Sequence, residues 1–97
     1  MLSAISKVAL VTGSAQGMGR AIALRLAADG HRLALNDIPA KKDALLALQK
    51  EIGVEKSMVV TADISKEKDV EKMVKQATEN FGSLDIVSCF LAIAFKS

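Results

Sequence analysis

An apolar run, Val8-Ala9-Leu10-Val11, meets the stretch Thr12-Gly13-Ser14-Ala15-Gln16-Gly17-Met18-Gly19 and then an alanine-rich helical pattern. This junction constrains the fold more than any other part of the chain. Gly13 permits the sharp turn off a strand, Gly17 lets backbone approach a bulky anion such as a pyrophosphate, and Gly19 permits close helix-to-strand packing. A helix starting at about Gly17 aims unpaired N–H groups and its positive dipole end at that anion. Ser14 and Gln16 are expected to line the loop, mainly through backbone groups, and Met18 offers an N–H at the helix start. The junction therefore implies a grip for a dinucleotide, with a ligand-free strand-to-helix turn as the plainer alternative.

Two alternating periodicities organise the rest: short β-prone apolar runs, and longer segments with apolar residues three and four apart. They predict strands at Lys7–Thr12, Arg32–Asn36, Ser57–Ala62 and from Leu84 to Val87. Helices are predicted at Met18–Asp29, with Gly30 as its stop, and at about Lys41–Ile52, with Leu45, Leu48 and Ile52 on one stripe. A third follows Ser65 as N-cap, with Val70, Met73, Val74, Ala77 and Phe81 on one face and Gly82 closing it. The first strand is continuously apolar, as a strand covered on both faces of a parallel sheet must be. With right-handed crossovers, this order gives an α/β fold: a partial doubly wound (Rossmann) parallel sheet, strand order 3-2-1-4, with helices between the strands.

A chain of 97 residues has room for one domain and one core. The net charge of +2, with lysines interleaved among acids, gives no ground for nucleic-acid binding. Cys89 is the only cysteine, so an internal disulfide and a multi-cysteine zinc site are both excluded and a cytoplasmic setting fits. His31 has no second histidine to form a metal pair, and no metal site is expected. The longest nearly apolar run, Ile86 to Phe95, is about half the ~20 residues a spanning helix needs, so no membrane partner is expected. The start, Met1 to Ser6, lacks the basic region of a signal or transit peptide.

The glycine spacing is T-G-x-x-x-G-x-G rather than the commoner G-x-G-x-x-G. Three further matches follow in order: Asp37 at the end of the second strand, Thr61-Ala62-Asp63-Ile64 at the end of the third, and Phe81-Gly82-Ser83-Leu84-Asp85-Ile86-Val87 leading into the fourth. On these residues, over positions 7 to 87, the chain resembles the short-chain dehydrogenase/reductase family. The run Val8 to Gly13 and on through Leu26 looks most like the acetoin and diacetyl reductase branch. The resemblance implies an NAD(P)-binding segment of an oxidoreductase for small alcohols or ketones.

Asp37 lies 18 positions beyond Gly19, near the ~20-residue spacing at which an acid meets the adenosine ribose. A carboxylate there accepts from ribose hydroxyls and repels a 2′-phosphate, which favours NAD over NADP; the lack of a basic residue at Gln16 agrees. Asp37 also fits a turn before Pro39. By resemblance, Asp63 hydrogen-bonds the adenine amino group, with the backbone of Ile64 beside it; an acid ahead of a helix fits there too. Arg20 and Arg25 read as solvated charge.

Hydride transfer to a carbonyl needs a group that handles the oxygen's proton, which in the resembled family is a tyrosine paired with a lysine four residues later. This chain contains no tyrosine, so no catalytic residue is expected within it. The family's serine and Tyr-x-x-x-Lys would lie beyond position 97, and Ser88-Cys89-Phe90-Leu91-Ala92 shares little with the family's Asn-Asn-Ala-Gly. The expectation is one truncated dinucleotide-binding domain, 1–97, with a divergent apolar tail at 88–97. An unprotected edge in that tail predicts self-association. The alternative function is a non-catalytic dinucleotide- or partner-binding module, or an inactive truncated product.

Overall fold

The computed structural model describes residues 7–82 and the strand at 86–89. Residues are arranged as β1 (Val8–Thr12), α1 (Gly17–Ala28), β2 (Arg32–Asp37), α2 (Lys42–Ile52), β3 (Ser57–Thr61), α3 (Glu67–Phe81) and β4 (Ile86–Cys89). All strand pairs are parallel, and the described sheet runs β3-β2-β1-β4. The predicted strand residues Leu84 and Asp85, and the tail from Phe90, lie outside the described residues.

Side chains alternate across a strand, so the apolar runs of β1 and β2 divide between two faces. Ala9, Val11, Leu33 and Leu35 turn to one face, where they join Ala23 of α1 and Leu45 and Leu48 of α2. Leu10, Ala34 and Val60 turn to the other and meet Met73 and Ala77 of α3. Every residue of β1 is buried, which explains its unbroken apolar character. The side chains of Leu45 and Leu48 are 0% and 1% exposed, and burying each contributes about 1.5–3 kcal/mol of transfer free energy.

The helix ends follow local chemistry. At the end of α1, the His31 N–H donates to the Leu26 carbonyl (3.1 Å) and the Gly30 N–H to that of Ala27 (3.0 Å). Gly30 stands at φ 95, which together with this bond pair is the Schellman arrangement. Ser57 ties the end of α2 to β3: its hydroxyl donates to the Gly53 carbonyl at 2.7 Å, and its own carbonyl accepts from Gln49 Nε2 at 3.1 Å. Arg20 pairs with Glu51, joining α1 to α2, and Arg25 lies 3.5 Å from Asp29, so both arginines have acidic partners. His31 Nδ1 accepts the Lys7 N–H at 3.1 Å.

Element boundaries differ from expectation by one or two residues along the chain, and three of these differences bear on the loops at the sheet edge. β2 extends to Asp37, which is in register with Thr61 of β3. α2 begins at Lys42, because Pro39–Lys41 first makes a single 3-10 turn with Pro at its start. Ser65 does not cap α3. That position falls to Lys66, whose side chain makes no capping bond, while the Ser65 hydroxyl donates back to Asp63 Oδ1. In its place, Asp69 in the first helical turn accepts the Asp63 N–H at 3.0 Å.

Candidate functional site

Parallel strands deliver the C-terminal ends of β1, β2 and β3 to one edge of the sheet, and the glycine loop lies there between β1 and α1. Gly13 and Gly17 adopt φ 64 and φ 61, in the left-handed region where a side chain is strained. A Cβ on Gly17 would meet nothing within 4 Å, so open space adjoins the start of α1. A Cβ on Gly19 would stand 2.1 Å from the Gly13 carbonyl oxygen. The close packing expected of Gly19 is thus against the loop itself, immediately past the end of β1.

The first half of the loop is anchored inward. The Ser14 N–H and hydroxyl both donate to the Asn36 carbonyl, at 2.9 and 3.1 Å, and Ser14 is fully buried. The Ala15 N–H donates to Asp37 Oδ2 at 3.1 Å, and the Ile38 N–H to Asp37 Oδ1 at 2.9 Å. Asp37 is therefore no simple turn residue: it sits in the ladder, 8% exposed, with each carboxylate oxygen holding a backbone donor.

The second half faces outward. Gln16, Gly17 and Met18 are exposed, Met18 to 70%. Gln16 is the N-cap of α1 and makes no side-chain capping bond, and the first turn holds no acidic residue. By contrast, Asp43 occupies the first turn of α2, and Glu67 and Asp69 that of α3. The first N–H groups of a helix have no partner within it, so the start of α1 combines free donors, an uncompensated dipole end and open space.

Asn36 was not singled out from sequence. It is 1% exposed, and its Nδ2 donates to the Val60 carbonyl at 3.0 Å and lies 3.4 Å from that of Ala62, sewing β2 to β3 beneath the loop. The available signal was an amide at the end of the apolar run Leu33-Ala34-Leu35, since a polar side chain buried there requires partners.

Asp63 and Ile64 follow β3 and are half-buried. Asp63 Oδ1 accepts from the Ser65 hydroxyl at 2.6 Å and the Ser65 N–H at 2.9 Å. The Ser65 hydroxyl, then its N–H, hold the Asp63 carboxyl below the usual carboxylate range, with a smaller contribution from Lys66. A depressed value stabilises the fold above the unfolded carboxyl's pH and ceases to do so as pH falls through the lowered value. Ser65→Ala is expected to return the Asp63 titration upward toward its ordinary value. Carboxyl-carbon NMR across an acid titration checks this, and an unmoved midpoint would remove Ser65 as the cause. Among the described residues, no group of three or more His, Cys, Asp or Glu is placed to hold a metal, and no helix is long and apolar enough to cross a membrane.

A parallel sheet with helices on both faces and a glycine turn leading from β1 into α1 defines a Rossmann-like α/β fragment. The family model described as Enoyl-(Acyl carrier protein) reductase matches residues 13–97. A short-chain dehydrogenase/reductase of Armillaria gallica is 46% identical over 91 residues, covering 91% of this chain and 34% of the relative. The crystal structure of a Brucella melitensis 3-ketoacyl-(acyl-carrier-protein) reductase complexed with NADH is 40% identical, with a TM-score of 0.77, covering 84% of this chain and 32% of that one. An alcohol dehydrogenase from the archaeon Thermococcus sibiricus, complexed with 5-hydroxy-NADP, gives 37% identity and a TM-score of 0.77 over 86% of this chain and 36% of that one. This chain belongs to the short-chain dehydrogenase/reductase family. It spans about a third of the length of the curated relatives it matches.

Proposed function

We propose that this chain is the cofactor-binding segment of an NAD(P)-dependent oxidoreductase. The observation that carries this is the outward half of the glycine loop: the uncapped, acid-free start of α1 opens beside Gly17 onto empty space. A pyrophosphate lying there would take N–H donors from Gly17, Met18 and Gly19, with Gln16 at the rim and Gly13 shaping the turn. Ser14, whose donors are engaged by Asn36, would serve as the anchor of that loop.

Asp37 would stand at the adenosine ribose and favour NAD over NADP, and Asp63 and Ile64 would flank the adenine. The strand order 3-2-1-4 would be the first half of a doubly wound sheet. The substrate would be a small alcohol or ketone, after the acetoin and diacetyl reductase branch that β1 and α1 resemble. A cytoplasmic setting belongs to the same reading, supported by the single cysteine. So does self-association through a sheet edge, supported by β3 and β4 each pairing on one side only among the described residues.

One observation favours a second reading, a non-catalytic dinucleotide- or partner-binding module: none of the 97 residues is a tyrosine. Two measurements separate the readings. NADH fluorescence titration with a parallel thermal melt is expected to show binding, with stabilisation of about 2.7 kcal/mol at a hundred times Kd. No cofactor-dependent change in either would overturn the dinucleotide reading. NADH oxidation in the presence of diacetyl or acetoin tests turnover by the chain itself, and reproducible turnover would overturn the non-catalytic reading.

A further inference from the structure

Met18 is the most exposed large apolar side chain among the described residues, at 70%, and it stands second in α1, beside the open end of the glycine loop. Neither core cluster includes it. The other methionines among the described residues are sheltered: Met58 is half-buried on β3, and Met73 is 2% exposed where α3 meets the sheet. A helical side chain leans toward the start of its own helix, so that of Met18 overhangs the turn where the first N–H groups of α1 lack partners within the helix. Gln16 makes no capping bond to them, because its Oε1 accepts from Lys41 Nζ at 3.1 Å, across 25 positions of sequence.

We infer that Met18 is an oxidation site through which hydrogen peroxide weakens dinucleotide binding. The inference rests on the dinucleotide reading above and adds its regulation. A lone pair of the Met18 Sδ attacks one peroxide oxygen, so that an S–O bond forms as the O–O bond breaks. The transferred oxygen passes its proton to the departing hydroxide, giving water. Sulfur is thereby oxidised by two electrons and the peroxide reduced by the same two. The sulfoxide is polar where the thioether was apolar. Its oxygen, the negative end of the S–O dipole, accepts N–H groups at the start of α1 and repels the phosphate oxygens that would use them. Because Met18 packs into neither core cluster, the fold is left intact.

The test treats the 97-residue chain with hydrogen peroxide, removes the oxidant with catalase, and adds dithiothreitol to reverse sulfenic or disulfide forms of Cys89. Peptide mass spectrometry then maps each methionine, beside NADH titrations and circular dichroism melts. Met18 is expected to gain oxygen roughly tenfold faster than Met73, and NADH affinity to fall roughly tenfold, while the melt shifts by no more than about 4 °C. Methionine sulfoxide reductases of both stereospecificities should restore the affinity. In Met18→Leu, the NADH affinity measured after peroxide should equal that variant's own value before it. Oxidation of Met18 no faster than that of Met73, full oxidation with NADH affinity unmoved, or the same peroxide-induced loss in Met18→Leu overturns this inference and leaves the dinucleotide reading standing. Failure of the untreated chain to bind NADH overturns both.

Discussion

Gly19→Ala is expected to lower the melting temperature by about 10 °C or more and to abolish detectable NADH binding. The cause is geometric: the new methyl would lie 2.1 Å from the Gly13 carbonyl oxygen and 2.7 Å from its carbon. Both are backbone atoms, so relief requires the start of α1 to move off the loop. Overpacking of this kind costs about 1–3 kcal/mol, and at this contact the upper end applies. The better helix propensity of alanine returns up to about 1 kcal/mol, leaving a net loss near 2, where each kcal/mol shifts the melt of a domain this size by about 4–8 °C. Gly17→Ala provides the contrast. Nothing stands within 4 Å of its Cβ, so only the φ of 61 opposes it, at about 1–2 kcal/mol. Its methyl would instead enter the open space beside the start of α1, where the proposed pyrophosphate would lie. Gly17→Ala should therefore weaken NADH far more than its melt alone accounts for. A Gly19→Ala protein that melts with the unaltered chain would refute the close-approach account.

Asp37→Asn is expected to cost about 2–3 kcal/mol in denaturant unfolding and to weaken both cofactors, NADH more than NADPH. The two oxygens of Asp37 accept from two backbone donors, the Ala15 and Ile38 N–H groups. An amide presents one acceptor and one donor. Whichever way it is turned, one buried N–H faces another donor, and leaving such a group unmatched costs about 1–3 kcal/mol, more where the lost partner was charged. The loop loses its tie to β2, so both cofactors suffer. Were Asp37 only a repulsive charge at the ribose, the same change would improve NADPH and leave the melt alone. Urea unfolding beside the paired titrations separates the two roles.

The layout of the fold follows from patterns that sequence carries directly. Continuous apolar character marks β1 because α1 and α2 cover one face and α3 the other, and Gly30, Gly53 and Gly82 end the helices where their positive φ is needed. The strand-to-helix glycine turn and the place of Asp37 at the end of β2 were legible in the sequence. What escaped was partner choice. Ser65 has the composition of an N-cap, but a carboxylate two residues earlier captures its hydroxyl, and Asp69 reaches back from the helix to stabilise the same turn. Asn36 and Lys41 act across strands and turns that are 24 to 26 positions apart in sequence, distances at which periodicity holds no information.

The inward bonds of Ser14 and Ala15 bear on the thermodynamics of recognition. A loop rich in glycine has the largest conformational freedom to lose when it closes on a ligand. Here β2 has already fixed half of that loop through the Asn36 carbonyl and the Asp37 carboxylate. Much of the ordering entropy is therefore incurred when the sheet forms, before any ligand arrives. On the proposed reading the cradle is preorganised, and the strength of binding at its rim would be coupled to the integrity of the strand pair beneath it.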